Sequence, residues 1–257
     1  MNNKNLNEII EIGDVNSFDY KFLKKINEKS SFEEIKNFYF ENKSKINLLK
    51  FDNDENLPIQ VAIYNKDYNT TKLIIENYKN PTEDINKQND EGNSALHTSV
   101  SLSQTEEITE LLLLNHADVN LKNNKNQTPL HLSIGKNRIE NTKLLLKNEN
   151  IKINEIDNYG FSPFLKACAS QCYDVIDLLL NEKKCDLNLV DKNYGNSGLH
   201  YLMEDEKYNY ALKVIKNGGD YLIKNKKGLS PIDLIKDVNY REIILSFIKR
   251  KENNVDF

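Results

Sequence analysis

Histidine and cysteine are the side chains of this sequence that could ligate a metal ion or act as base or nucleophile. The 257 residues include four histidines and three cysteines. His97 ends the run NDEGNSALH, and 34 residues later His131 ends the run KNQTPLH. Histidines at such an interval could be metal ligands or general bases. They could equally be structural residues of a repeated unit, and the rest of the chain distinguishes these possibilities.

The other candidate groups lack the neighbours that such chemistry requires. Cys168 and Cys172 lie four residues apart and Cys185 follows them, but no C-x-x-C motif or fourth zinc ligand is nearby. The nine glycines form no dinucleotide or phosphate-binding loop, and no G-x-S-x-G or H-E-x-x-H motif occurs. The acidic run EDE at 204–206 is interpreted as a solvated or partner-facing patch. We therefore predict a protein that is not an enzyme, with no catalytic residue, no metal site and no cofactor.

A four-residue segment recurs along the chain. Its copies are separated by 37, 34, 34, 35 and 33 residues and end at Gln60, His97, His131, Leu165, His200 and Asp233. Five residues before each end stands a glycine, or Glu55 and Asn126 in two copies. An Asp or Asn stands eight or nine residues before each end, at Asp52, Asn89, Asn123, Asp157, Asp191 and Asn225. Such residues favour turns and positive φ.

An apolar helical run follows each copy of the segment, as in EEITELLLL (106–114) and YDVIDLLLN (173–181). Each repeat is thus predicted to contain a turn, a short helix, a longer helix and a loop. One helix pair cannot bury its apolar face alone, so neighbouring repeats must stack.

This pattern resembles the ankyrin-repeat family, whose period is about 33 residues and whose signature is T-P-L-H-x-A. The resemblance covers about 52–251, and the TPLH at 128–131 matches the core of the signature. It implies an all-α solenoid of about seven stacked helix pairs, joined by β-hairpin-like finger loops. The expected divisions are a degenerate N-terminal helical cap at 1–51, repeats at approximately 52–88, 89–122, 123–156, 157–190, 191–224 and 225–251, and a frayed tail at 252–257.

The family also implies roles for the residues of the signature. The hydroxyl residue begins the first helix of each repeat as its N-cap, and proline suits the next position. The histidine bonds within its own repeat and to a neighbouring repeat, so His97, His131 and His200 are predicted to be structural. His116 stands where the family usually has a glycine after the second helix and is predicted to be a turn residue. The predicted N-caps are Ser94, Thr128, Ser162, Ser197 and Ser230.

In this family the finger turns and the exposed ends of the first helices line the binding side. The corresponding predicted partner-binding residues are Tyr64, Glu91, Asn93, Lys125, Gln127, Asn158, Tyr159, Phe161, Tyr194, Asn196, Glu204, Asp205, Lys226, Lys227 and Leu229. Tyr159, Phe161 and Tyr194 fall on adjacent fingers and either form an exposed aromatic cluster or pack finger against finger. Beside them the charge changes from negative at 204–206 to positive at 226–227. These charges either orient a partner with the complementary pattern or only keep the surface soluble.

Composition limits the class of partner. The formal net charge is −4 and the sequence pI about 5.7, which argues against nonspecific nucleic-acid binding. The opening MNNKNLNEII has neither a basic segment nor an apolar core of a signal peptide, and no long apolar run follows. We expect a monomer that binds a protein, without nucleic acid or membrane, in the cytoplasm and also in the nucleus.

A narrower resemblance is to the gankyrin family of proteasome assembly chaperones, which clasp one proteasomal ATPase subunit on their concave face. The segment at 91–120 and the closing segment at 224–250 are similar in style to that family, whose first repeat also lacks the TPLH signature. The first interval of 37 residues, the longer N-terminal segment and the finger insertion at 192–194 depart from it. Another ankyrin adaptor or inhibitor, binding a transcription factor or a kinase, is the alternative, and an enzyme is the third class.

Overall fold

The computed structural model describes residues 17–52 and 55–252, and within these ranges all regular secondary structure is helical. The chain divides into two compact units, Met1–Ile151 and Lys152–Phe257, which are described separately. The first 16 residues of the predicted N-terminal cap and most of the predicted tail lie outside the described residues. The β-hairpin character of the described fingers is limited to isolated bridges, Gln88 with Ser94 and Val190 with Ser197.

The described part of the first compact unit contains four helix pairs and two additional helical turns. The order is α1 (Phe18–Asn27), α2 (Phe32–Asn42), a 3₁₀ turn (Lys43–Lys45), α3 (Pro58–Tyr64), α4 (Tyr68–Glu76), α5 (Pro81–Asp84), α6 (Ala95–Ser101), α7 (Glu106–Leu114), α8 (Pro129–Gly135) and α9 (Ile139–Leu146). The first helices α1, α3, α6 and α8 pack in series, and α2, α4, α7 and α9 follow the same order. The single turn α5 lies within the interval of 37 residues between Gln60 and His97 and accounts for its extra length.

The second compact unit contains two helix pairs and a shortened final pair. Its elements are α10 (Pro163–Ala169), α11 (Tyr173–Leu180), α12 (Gly198–Glu204), α13 (Tyr208–Lys216), a 3₁₀ turn (Pro231–Leu234) and α14 (Val238–Glu252). The 3₁₀ turn replaces the first helix of the last repeat and packs against α12 as a full first helix would.

Local sequence explains where the first helices begin. Each predicted cap residue precedes such a helix or the final 3₁₀ turn with extended backbone, and Pro58, Pro129, Pro163 and Pro231 stand at the first helical position. The hydroxyl of Ser162, for example, accepts the backbone N–H of Leu165 at 3.2 Å. All five residues stand at the predicted N-cap positions, and the hydroxyls of Ser94 and Ser162 each accept a backbone N–H that the first turn leaves free.

The core lies between the helices of successive repeats. Leu112 and Leu179, on the second helices α7 and α11, are fully buried, and Cys168 on α10 has no exposed surface. In the opening helix pair, Phe22 of α1 and Ile35 of α2 are buried in the same way. Both helices of a pair thus contribute buried side chains, and the described part of the N-terminal segment forms a helix pair of the same kind.

Candidate interaction surface

Each finger is closed by the side chain of its first Asp or Asn. The Oδ1 atom of Asn123 accepts the N–H groups of Lys125 and Gln127 at 3.0 and 2.9 Å. In the next finger Oδ1 of Asp157 accepts those of Tyr159 and Phe161 at 2.9 and 3.0 Å. The residue five before the end of the segment has positive φ in every repeat, at Glu55, Gly92, Asn126, Gly160, Gly195 and Gly228. The predicted turn positions are confirmed, and the fingers are rigid turns.

Within each compact unit, neighbouring fingers are joined through their backbones. In the first unit the N–H of Asn124 donates to the carbonyl of Glu91 at 3.0 Å. In the second, the N–H of Lys192 donates to the carbonyl of Tyr159 at 2.9 Å, and that of Lys226 to Tyr194 at 2.8 Å. Within each unit, the exposed side chains of these fingers are therefore held on hydrogen-bonded backbone.

The histidines of the signature are structural. Nδ1 of His97 accepts the N–H of Ser94 at 3.2 Å, so Nε2 carries the proton and donates to the carbonyl of Gln127 in the next finger at 3.0 Å. His200 makes the same pair of contacts, with Ser197 at 3.0 Å and with the carbonyl of Leu229 at 3.0 Å. Burial lowers the pKa of both, that of His97 to about 4. His131 is buried, and its Nδ1 accepts the N–H of Thr128 at 3.2 Å.

Where histidine is replaced, the local bonding differs. Gln60 reproduces the histidine contacts, because its Oε1 accepts the N–H of Leu57 at 3.0 Å and its Nε2 donates to the carbonyl of Asn93 at 2.9 Å. Asp233 in the last repeat only accepts, from the N–H of Ser230 at 2.8 Å. Leu165 is fully buried and supplies no polar group.

The remaining candidate groups for chemistry have structural settings. His116 is exposed with φ of 64°, which confirms the predicted turn role. All three cysteines are thiols, and burial raises the pKa of each, that of Cys185 to about 12. Over the described residues no three His, Cys, Asp or Glu side chains are arranged to hold a metal ion.

In the first compact unit, the predicted partner-binding residues lie at the surface to different degrees. Glu91 and Lys125 are exposed at the finger tips, and Tyr64 is 48% exposed at the end of α3. Asn93 and Gln127 are half-buried, and Asn93 uses its amide oxygen to accept the side chain of Asn123 at 3.0 Å.

In the second compact unit, most predicted residues are exposed, but Asn196 is not. Its side chain is buried at the finger base, where Oδ1 accepts the amide of Asn225 at 2.9 Å and its own N–H donates to Asp191 at 2.9 Å. Asn196 thus joins two neighbouring fingers, and its role as a partner contact stays a prediction. Asp205 is half-buried. The exposed predicted residues of this unit are Asn158, Tyr159, Tyr194, Glu204, Lys226, Lys227 and Leu229.

Of the two arrangements considered for Tyr159, Phe161 and Tyr194, the exposed cluster of three rings is not formed among the described residues. The ring of Phe161 is half-buried and pairs with that of Tyr201 at 6.2 Å, and Tyr201 in turn donates to Oδ2 of Asp191 at 3.1 Å. Tyr159 and Tyr194 belong to no ring pair within the described chain and are 55% and 60% exposed. The surface therefore has two separate tyrosines at its tips. Tyr201 supports the finger base, and the sequence analysis did not identify it. Its position in the first helix, four residues after the cap Ser197, could have indicated a contact with the finger.

The acidic run at the end of α12 is partly compensated. Asp205 accepts the side-chain amide of Gln171 at 3.0 Å, and Glu206 forms an ion pair with Lys236 at 3.3 Å. Both groups are at the surface, so these contacts stabilise the fold little. Glu204 is exposed.

Helix pairs joined by stacked fingers at this period define the ankyrin-repeat fold, and this chain has that fold. Residues 100–191 match the family model described as "Ankyrin repeats (3 copies)". No curated protein shows a significant sequence match. No described helix has the length and apolar character needed to cross a bilayer.

Two solved structures illustrate the similarity of fold. The ankyrin-repeat domain of Bcl-3, a member of the IkappaB protein family, aligns with a TM-score of 0.76 at 18% identity over 87% of this chain and 97% of that one. The ankyrin-repeat protein EF0377 aligns with a TM-score of 0.64 at 22% identity, over 74% of this chain and 96% of that one. At these identities the likeness concerns the fold.

Proposed function

We propose that this protein is a non-catalytic module that binds a protein partner through its finger tips and first-helix ends. The observation that carries the proposal is the exposure of Tyr159 and Tyr194 on fingers whose backbones are hydrogen-bonded to their neighbours. Tyrosine is enriched at the energetic centres of interfaces, and a pre-ordered support lowers the entropy that binding costs.

The test compares the wild-type protein with the double variant Tyr159→Ala/Tyr194→Ala in an affinity pull-down from the source cell's lysate, analysed by mass spectrometry. We expect a dominant protein partner that the double variant no longer retains, with an unchanged melting temperature by circular dichroism. Tyr68→Ala, at an exposed tyrosine on the second helix α4, is the matched control and should retain the partner. A double variant that unfolds would show instead that these tyrosines belong to the core.

The narrower proposal is a proteasome assembly chaperone that clasps an ATPase subunit. Its support is the resemblance of 91–120 to the gankyrin family, together with a helix count of about seven pairs. Recovery of proteasomal ATPase and base subunits, lost in the double variant, would support this proposal. A transcription factor or kinase as dominant partner would support the adaptor or inhibitor instead. A specific metabolite or a turnover product without a protein partner would reopen the enzyme class.

We also propose that the protein is a monomer located in the cytoplasm and the nucleus. The near-balanced charge supports this location. Sedimentation velocity of the purified protein and imaging of a fluorescent fusion test the two statements separately; a dimer or an organelle-restricted signal would contradict them.

A further inference from the structure

The three fingers of the second compact unit present a row of exposed tyrosines and lysines, which we call the tip strip: Tyr159, Lys192, Tyr194, Lys226 and Lys227. Backbone bonds hold its members in order, because Lys192 donates to the carbonyl of Tyr159 and Lys226 to that of Tyr194. The strip combines apolar anchors with cations on one rigid edge.

Two of the three lysines are positioned by the preceding finger. The Nζ of Lys192 donates to the carbonyl of Asn158 at 3.3 Å, and that of Lys226 donates to the carbonyl of Lys192. The stem of Lys192 packs so closely on Gly160 that a Cβ there would lie 2.7 Å from its Cγ. The ammonium groups thus lie along the finger edge, and a ligand has less side-chain entropy to remove.

The charge of the strip has no exposed carboxylate to balance it within these fingers. Their acids are Asp157 and Asp191, both buried, and each accepts backbone N–H groups of its own finger. The fingers of the first compact unit have a different charge, because Asp90 and Glu91 occupy the tip of one of them. The cationic edge is therefore a local property of the second unit in a chain of net charge −4.

We infer that the tip strip binds an extended acidic segment of a partner protein, with apolar or aromatic side chains between its acidic ones; this inference rests on the proposed function. Carboxylates would pair with the lysines and apolar groups would cover the tyrosines. A nucleic acid would also suit lysine and tyrosine. A nucleic acid is disfavoured, because it needs an extended basic surface, whereas the strip has three lysines in a chain of net charge −4.

The fold also determines the spacing of the segment. Stacked helices lie about 8–10 Å apart, so successive fingers present their tips at about that distance. An extended chain advances about 3.3 Å per residue, so it meets a new finger about every third residue. Acidic residues at about i, i+3 and i+6 would place one carboxylate near each finger.

The experiment is a selection of displayed random dodecapeptides on the full-length protein, followed by fluorescence-anisotropy titration of the enriched peptides after synthesis. We expect Asp and Glu to be enriched at the spacing above, with apolar residues between them. Affinity should fall about tenfold or more in Lys192→Gln/Lys226→Gln/Lys227→Gln, and several-fold between about 0.05 M and about 0.3 M salt. Glutamine retains a hydrogen-bond donor, so the fingers should remain stacked.

The controls separate this inference from the proposed function. Lys79→Gln, at an exposed lysine that follows the second helix α4 of the first compact unit, should leave the affinity for the peptides within about twofold of wild type. If the selection enriches neutral or basic peptides that bind Tyr159→Ala/Tyr194→Ala more weakly, the inference of an acidic ligand is wrong and the proposed function is retained. Tighter binding of a single-stranded oligonucleotide, no enrichment, or enriched peptides insensitive to the lysine variant would overturn the inference. The proposed function would be overturned as well only if the partner recovered from the lysate bound the wild type and Tyr159→Ala/Tyr194→Ala equally well.

Discussion

His97 is neutral in the folded protein, so acidification should lower the free energy of unfolding of this protein. Its Nδ1 accepts the N–H of Ser94, and its Nε2–H donates to the carbonyl of Gln127. Protonation of Nδ1 would set a donor against the N–H of Ser94 inside the core, and burial accordingly lowers the pKa of His97 to about 4. The replacement His97→Gln removes this proton-binding site, and Gln60 shows that glutamine can make both bonds at the equivalent position.

The magnitude follows from the difference between the two states. In the unfolded chain histidine titrates near 6.5, and each pKa unit corresponds to about 1.4 kcal/mol. Between pH 6.5 and 4 the unfolded state binds a proton that the folded state does not, so the free energy of unfolding falls as the pH falls. His97 alone should remove about 3 kcal/mol of stability across this interval. Above pH 6.5 and below pH 4 it should contribute no further pH dependence.

Urea unfolding followed by circular dichroism, at pH 7.5 and at several values down to 4, measures the effect. His97→Gln should unfold within about 1 kcal/mol of the wild type at pH 7.5 and lose less stability on acidification. The reciprocal variant Gln60→His should lose more than the wild type. Carboxylates also titrate in this interval, so the comparison uses differences between variants. Equal pH dependence of the wild type and His97→Gln would refute the reasoning.

Three further expectations follow from the packing. Gly92→Ala and Gly228→Ala both place alanine at positive φ, but only at Gly92 would the new Cβ lie 2.5 Å from Oδ1 of Asn124. The urea midpoint of Gly92→Ala should therefore indicate about 1–3 kcal/mol more destabilisation than that of Gly228→Ala. Leu112→Ala should cost about 2–5 kcal/mol in the same assay, because the fully buried side chain leaves a cavity; a cost below about 1 kcal/mol would contradict the core assignment. Cys185 should react with a disulfide reagent at pH 8 at least about a hundredfold more slowly in the folded than in the urea-unfolded protein, because burial raises its pKa to about 12. Peptide mapping of the labelled thiols measures this, and equal rates would show that the thiol is not shielded.

Much of the fold could be predicted from sequence because each repeat interacts mainly with its neighbours. The bond between Gln60 and Asn93 spans 33 residues, and that between Asn123 and Asn93 spans 30. Contacts at nearly constant separation leave a periodic signal in the sequence, which identifies the helix caps and the structural histidines. The same period marked the positions with positive φ, including Glu55, where no glycine is present.

The candidate surface was predicted less completely, because a finger position does not by itself specify burial. Asn196 and Tyr194 are two residues apart in one finger, yet Asn196 is 8% exposed and Tyr194 is 60% exposed. The difference arises from Asn225 in the next finger, whose amide donates to Asn196. Sequence alone shows both as polar or aromatic finger residues.

By itself, the sequence determined the repeat, its helix pairs and the structural use of His97, because these depend on backbone requirements that every repeat satisfies in the same way. Only the tertiary structure decided that Phe161 pairs with Tyr201, and that the lysines of the tip strip lie along the preceding finger. Those outcomes depend on the side chains that each neighbouring repeat happens to present. Neighbour-specific packing of this kind carries no period, and it appears only when the repeats are stacked.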